Sequence, residues 1–116
     1  MRIPLNEILT RLPLPATARW PDGVWDIQAF AHGSMSVVLF TPRGIDYQCS
    51  HQQDELYIVV RGSGVLVIDG NRHAFTTGDV LFVAANIDHR FIELTDDLVT
   101  WAIFWGPHGG ESSPGA

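Results

Sequence analysis

From Trp25 onward the chain runs in short stretches where apolar and polar positions alternate, each closed by Gly, Pro, Asp or Asn. WDIQAFA, SMSVVLFT, IDYQCSH, ELYIVVR, GVLVID, RHAFT, DVLFVA, HRFIELT and LVTWAIFW are the runs, and alternation over such lengths predicts β-strands. Asp69-Gly70-Asn71 lies between two of them and predicts a hairpin turn, because Gly and Asn accept the positive φ a tight turn needs. Short strands at this spacing predict an all-β sandwich or barrel rather than βαβ units. Ahead of them, Leu5 to Leu12 predicts a short helix with Asn6 as its cap. Residues 13–23 hold three Pro and one Gly and read as an irregular lead-in. After the last run, GPHGGESSPGA offers no large apolar residue, which predicts a flexible tail. The chain therefore divides into an N-terminal helix and lead-in (1–24), a barrel (25–105) and a tail (106–116).

Two runs are apolar on both faces. In LVTWAIFW, Leu98, Thr100, Ala102 and Phe104 share one face, and Val99, Trp101, Ile103 and Trp105 the other; ELYIVV behaves alike. A wall that is apolar outside as well as inside needs a cover. The N-terminal segment with Trp20 and Trp25 supplies part of it, and a homodimer hiding Leu56, Ile58, Trp101 or Ile103 is expected to supply the rest.

At 116 residues the chain has the length of one domain. Seven Lys and Arg against thirteen Asp and Glu give a net charge of −6, and the basic residues form no run. Nucleic acid and anionic membrane are therefore not expected partners. The lone cysteine, Cys49, excludes an internal disulfide. The start of the chain lacks the apolar core of a signal peptide, and no stretch nears the ~20 apolar residues of a membrane span. A cytoplasmic location is expected.

The candidate chemistry gathers in CSHQQDE and again at His89. In an extended strand Tyr47, Cys49 and His51 point the same way. Glu55 then opens an apolar run, where an acid is costly unless paired. His89 begins the run HRFIE after the turn Ala85-Asn86-Ile87-Asp88. Two imidazoles, a carboxylate and a thiol are four donors for a borderline or transition metal, although spacing alone does not bring His89 to His51. Glu93 shares strand parity with His89 and points either to the cavity or to an Arg at the rim. His32 and His73 read as surface residues and His108 as a tail residue. Tyr57, on the face of Glu55, is expected to fill the barrel.

Cys49, His51, Glu55 and Gly62 stand in register with the first motif of the cupins, in which two His, a Glu and a Gly recur at this spacing. The opening glycine, Gly44, is one residue late, and Cys49 replaces the first His. Gly78, Ala84, Asn86, His89 and Glu93 keep the register of the second motif, with only Gly78 and His89 retaining the family residue. Over about residues 25–105 the chain thus resembles a cupin. The resemblance implies a cupin-type double-stranded β-helix (jelly-roll barrel) with a short N-terminal helix. It implies further that His51, Glu55 and His89 converge on one divalent metal (Zn, Fe, Mn or Ni), with Cys49 at a fourth ligand position. A ligating Cys49 would favour Zn and close a position otherwise open to substrate. Three functions follow as expectations: a metal-dependent dioxygenase or isomerase acting on a small organic molecule; a non-catalytic module binding a small metabolite or sugar without metal; and a metal-free enzyme with His51 or His89 as base and Tyr57 as acid. No residue is assigned as catalytic.

Overall fold

The structure, a computed structural model, describes residues 1–46 and 50–112. The strands are β1 (Asp26–His32), β2 (Met35–Phe40), β3 (Asp54–Arg61), β4 (Gly64–Ile68), β5 (Asn71–Phe75), β6 (Val80–Val83), β7 (His89–Ile92) and β8 (Val99–Trp105), with one helix, α1 (Leu5–Leu9), before them. Eight of the nine runs thus form strands. In IDYQCSH, residues 47–49 lie outside the described residues and those on either side belong to no strand. Among the described residues no helix is long and apolar enough to cross a membrane.

The strands form two antiparallel sheets, one ordered β1-β2-β8-β3-β6 and the other β5-β4-β7. Alternation in β3 sends Glu55, Tyr57 and Val59 inward, all nearly inaccessible, while Leu56, Ile58 and Val60 remain half-buried on the other face. The core fills the space between the sheets. Phe40, Tyr57 and Ala102 reach into it from the larger sheet, Leu66, Phe75 and Phe91 from the smaller. Phe91 sits at the centre, its ring 4.9 Å from Tyr57, 5.5 Å from Phe75 and 5.8 Å from Phe40.

The outer face of the larger sheet is partly covered by the N-terminal segment. Ile8 packs with Leu39 and Val99, and Ile3, Leu5, Leu9 and Trp101 surround them, so the expected cover from this segment is present. The helix is shorter than Leu5–Leu12 and has a different start: Pro4 is its N-cap, no side chain caps it, and Asn6 lies inside. The Thr10 hydroxyl donates to the Glu7 carbonyl at 2.6 Å, and Pro13 disfavours helical geometry at Leu12.

The β4–β5 hairpin confirms the turn, shifted by one residue: Ile68 pairs with Asn71, and Asp69 and Gly70 take φ of 50° and 79°. Positive φ at both loop residues matches the right-handed twist of the strands. At the opposite end of the barrel, Gly62 has φ of 94°, and a Cβ there would lie 2.7 Å from Leu98 Cα and 2.8 Å from Thr95 Oγ1. Gly62→Ala is therefore expected to destabilise the fold by about 2 kcal/mol or more, from left-handed strain alone before the clash is added. Urea denaturation measures this; an unchanged midpoint would mean that the Thr95–Leu98 loop moves aside freely.

Candidate metal centre

Each sheet delivers part of one cluster. Glu55 comes from β3 in the larger sheet, and His89 opens β7 in the smaller, beside Ile68 of β4. His51 precedes β3 in a loop fastened by the turn between β6 and β7: the Asn86 backbone N–H donates to the His51 carbonyl at 2.6 Å. Asn86 makes that bond from a φ of 64°, a left-handed conformation that asparagine adopts more readily than most residues. His51 Nε2 and His89 Nε2 each lie 3.3 Å from Glu55 Oε1. The donor atoms of all three side chains fall within 4.8 Å of one another. Cys49, the fourth expected ligand, lies outside the described residues.

Hydrogen bonding prepares the trio for a cation. His89 Nδ1 is 2.9 Å from the Ile87 carbonyl, an acceptor only, so Nδ1 carries the proton. In neutral His89 the Nε2 lone pair then faces a carboxylate oxygen and the Tyr57 hydroxyl, 3.2 Å away. Glu55 Oε1 is buried and has no hydrogen-bond partner. The Tyr57 hydroxyl can donate to His89 Nε2, and the remaining lone pairs repel unless a positive charge, a second proton on His89 or a bound cation, stands among them. Metal–nitrogen and metal–oxygen bonds of ~2.1 Å put adjacent ligands roughly 3.0 Å apart in an octahedron and 3.4 Å in a tetrahedron. The observed 3.3 Å separations fit that range, and two imidazoles with a carboxylate suit Zn, Fe, Mn or Ni.

Burial, and then the charge of His89, holds the His51 imidazole down to about 4, which leaves it neutral and able to ligate at pH 7. Burial raises the Glu55 carboxyl above its ordinary value. For His89, burial opposes the charged form but is outweighed by the Glu55 carboxylate and the Ile87 carbonyl, so the net direction is upward.

Tyr57 is inside the barrel as expected. Glu93 does not reach the cavity: β7 ends at Ile92, and the Glu93 carboxylate pairs with Arg72 at 2.9 Å on the surface. His32, His73 and His108 are exposed. Two buried carboxylates were not singled out from the sequence. Asp46 accepts the Phe91 N–H at 2.9 Å. Asp54 accepts the Ala85 N–H through one oxygen and the Glu111 N–H through the other, both at 2.9 Å. Asp54 follows two glutamines, and nothing in the alternation of Gln52–Asp54 marks it as 5% exposed. Residues of the 106–112 stretch also return to the site loop, where the Gly109 N–H donates to the Gln52 carbonyl at 2.7 Å.

The sequence-distant lead-in reaches the cluster as well. A cavity of about 190 Å³ opens from His51 and Glu55, with Val38, Phe40, Ala102 and Phe104 as its walls. Arg19, Trp20 and Asp26 line it too.

Two sheets closed over an inward His–Glu–His cluster, with both motif registers kept, can be set against known proteins. The family model described as the cupin domain matches residues 36–105. The chain is a cupin. A Streptomyces coelicolor protein described as uncharacterized is 31% identical over 88 residues, spanning 74% of this cupin and 83% of that protein. KdgF from a Halomonas species shares the fold with a TM-score of 0.62 at 16% identity, over 72% of this chain and 78% of its own. A Cupin 2 conserved barrel domain protein from Salinispora arenicola gives 0.58 at 22% identity, over 70% and 74%. At these identities the two structures speak for the shared cupin barrel and for nothing finer.

Proposed function

We propose that this cupin holds one divalent metal ion through His51, Glu55 and His89 and acts on a small organic molecule admitted to the adjoining cavity, as a dioxygenase or isomerase does. The carrying observation is Glu55 Oε1, buried, without a hydrogen-bond partner, and flanked by two imidazole nitrogens at 3.3 Å. A bound ion would supply Lewis acidity and open coordination positions toward the cavity. The chain's own groups orient and insulate it: Ile87 fixes the His89 tautomer, Asn86 fixes the His51 backbone, and Phe104 meets the His51 ring edge-on at 4.7 Å. A second copy of the chain belongs to the same reading. Val80 and Phe82 stand 57% and 53% exposed, and the outer groove of Val37, Ile58, Trp101 and Ile103 offers apolar surface for it.

Calorimetric titration of the metal-free protein with zinc or manganese tests the reading. One site per chain, with proton release, is expected at pH 7.5. Protonated donors cannot ligate, and the raised Glu55 and His89 keep their protons to higher pH than usual. Apparent affinity should therefore fall steadily as pH drops from 7.5 to 5.5. His51, down at about 4, should contribute little to that loss. If no first-row divalent ion binds at micromolar concentration near pH 7.5, the cavity is a metal-free metabolite or sugar site instead.

A further inference from the structure

The lead-in before β1 was expected to cover the outer wall, yet two of its residues line the cavity beside the metal ligands. Arg19 and Trp20 do so together, the Arg19 guanidinium carbon 5.6 Å from the centre of the Trp20 ring. The cavity is buried at one end, where Glu55 is 1% exposed, and opens at the other, where Arg19 is exposed and Asp26 half-buried. Between the ends the lining is apolar or aromatic: Trp20, Val38, Phe40, Ala102 and Phe104. About 190 Å³ is below the roughly 300–1,000 Å³ of pockets for drug-sized ligands, so the occupant is small.

Charge narrows the class of occupant. Among the described residues, Arg19, Asp26, His51 and Glu55 are the titratable groups of the lining. With a divalent ion against Glu55, these described groups together carry one net positive charge, although the chain as a whole carries −6. A mostly apolar enclosure disfavours an unbalanced charge, and a monoanion restores neutrality. The planar guanidinium fork, braced on an indole face, matches a carboxylate in two parallel hydrogen bonds. Resting on the metal-dependent reading above, we propose that the substrate is a small carboxylate with an apolar or aromatic body, and that Arg19, seated on Trp20, is the residue that selects its carboxylate.

Benzoate and its uncharged isostere benzamide are suitable probes, titrated by calorimetry into the zinc-loaded protein and into Arg19→Gln. Benzoate should bind at least tenfold more tightly than benzamide. Arg19→Gln should remove most of that preference while leaving zinc affinity as it was. Equal binding of the two probes overturns the inference, as does an Arg19→Gln variant that binds benzoate normally or a protein that binds no benzoate at millimolar concentration. If zinc itself is not taken up, the metal reading falls. The charge balance that calls for a monoanion goes with it, and the inference about Arg19 is then overturned too.

Discussion

His89→Ala is expected to bind zinc at least a hundredfold more weakly than the unaltered chain. Loss of a partner that merely orients a ligand already costs some 10–100-fold in metal affinity, and His89 would be a ligand itself. The variant should still fold: without the imidazole, Glu55, already raised by burial, takes up a proton and becomes neutral. Circular dichroism separates loss of the site from loss of the barrel, and calorimetry reads the affinity. Cys49→Ser, in the same titration, is expected to lose far less. Zinc binding unchanged in His89→Ala would place the ion somewhere other than the His–Glu–His cluster.

Phe91→Ala is expected to be the most damaging single truncation of the core, at about 3–5 kcal/mol. Phe91 is 1% exposed, and its ring contacts Tyr57 and Phe40 from the facing sheet as well as Phe75 from its own. Removing it opens a void where the two sheets meet, which neither can close without losing strand register. A loss of this size is a large share of the ~5–15 kcal/mol that stabilises a typical domain. Denaturant unfolding measures it, and a loss below about 1 kcal/mol would mean that the sheets collapse freely onto the vacated space.

The strands were legible because short apolar or alternating runs are each closed by turn residues. In the last run the division into Leu98, Ala102 and Phe104 against Val99 and Trp101 is the one the two apolar clusters display. The convergence of His51, Glu55 and His89 was legible only through the cupin resemblance, since no local pattern reveals that β7 faces β3 across the core. For Glu93 the structure realises the second alternative, an Arg at the rim: its φ of 54° takes it out of the extended geometry on which parity depends, and its carboxylate pairs with Arg72. Arg19 and Trp20 were out of reach for a different reason. They sit in irregular chain, where no periodicity says which way a side chain turns.

Asp54 joins the start of β3 to the turn before β7 and to the backbone at Glu111, and β3 itself lies between β6 and β8. During synthesis, which runs from the N-terminus, His51 and Glu55 leave the ribosome well before the strand that flanks β3 and before the residue that satisfies the second oxygen of Asp54. Most of the pairings that shape the cluster therefore span long stretches of sequence, the kind that form slowly. The nascent chain would consequently present the proposed donors as loose groups until β8 and residue 111 have emerged. Capture of an ion by the proposed site would thus follow the emergence of residue 111, and the metals available where folding ends would be the ones that compete for it.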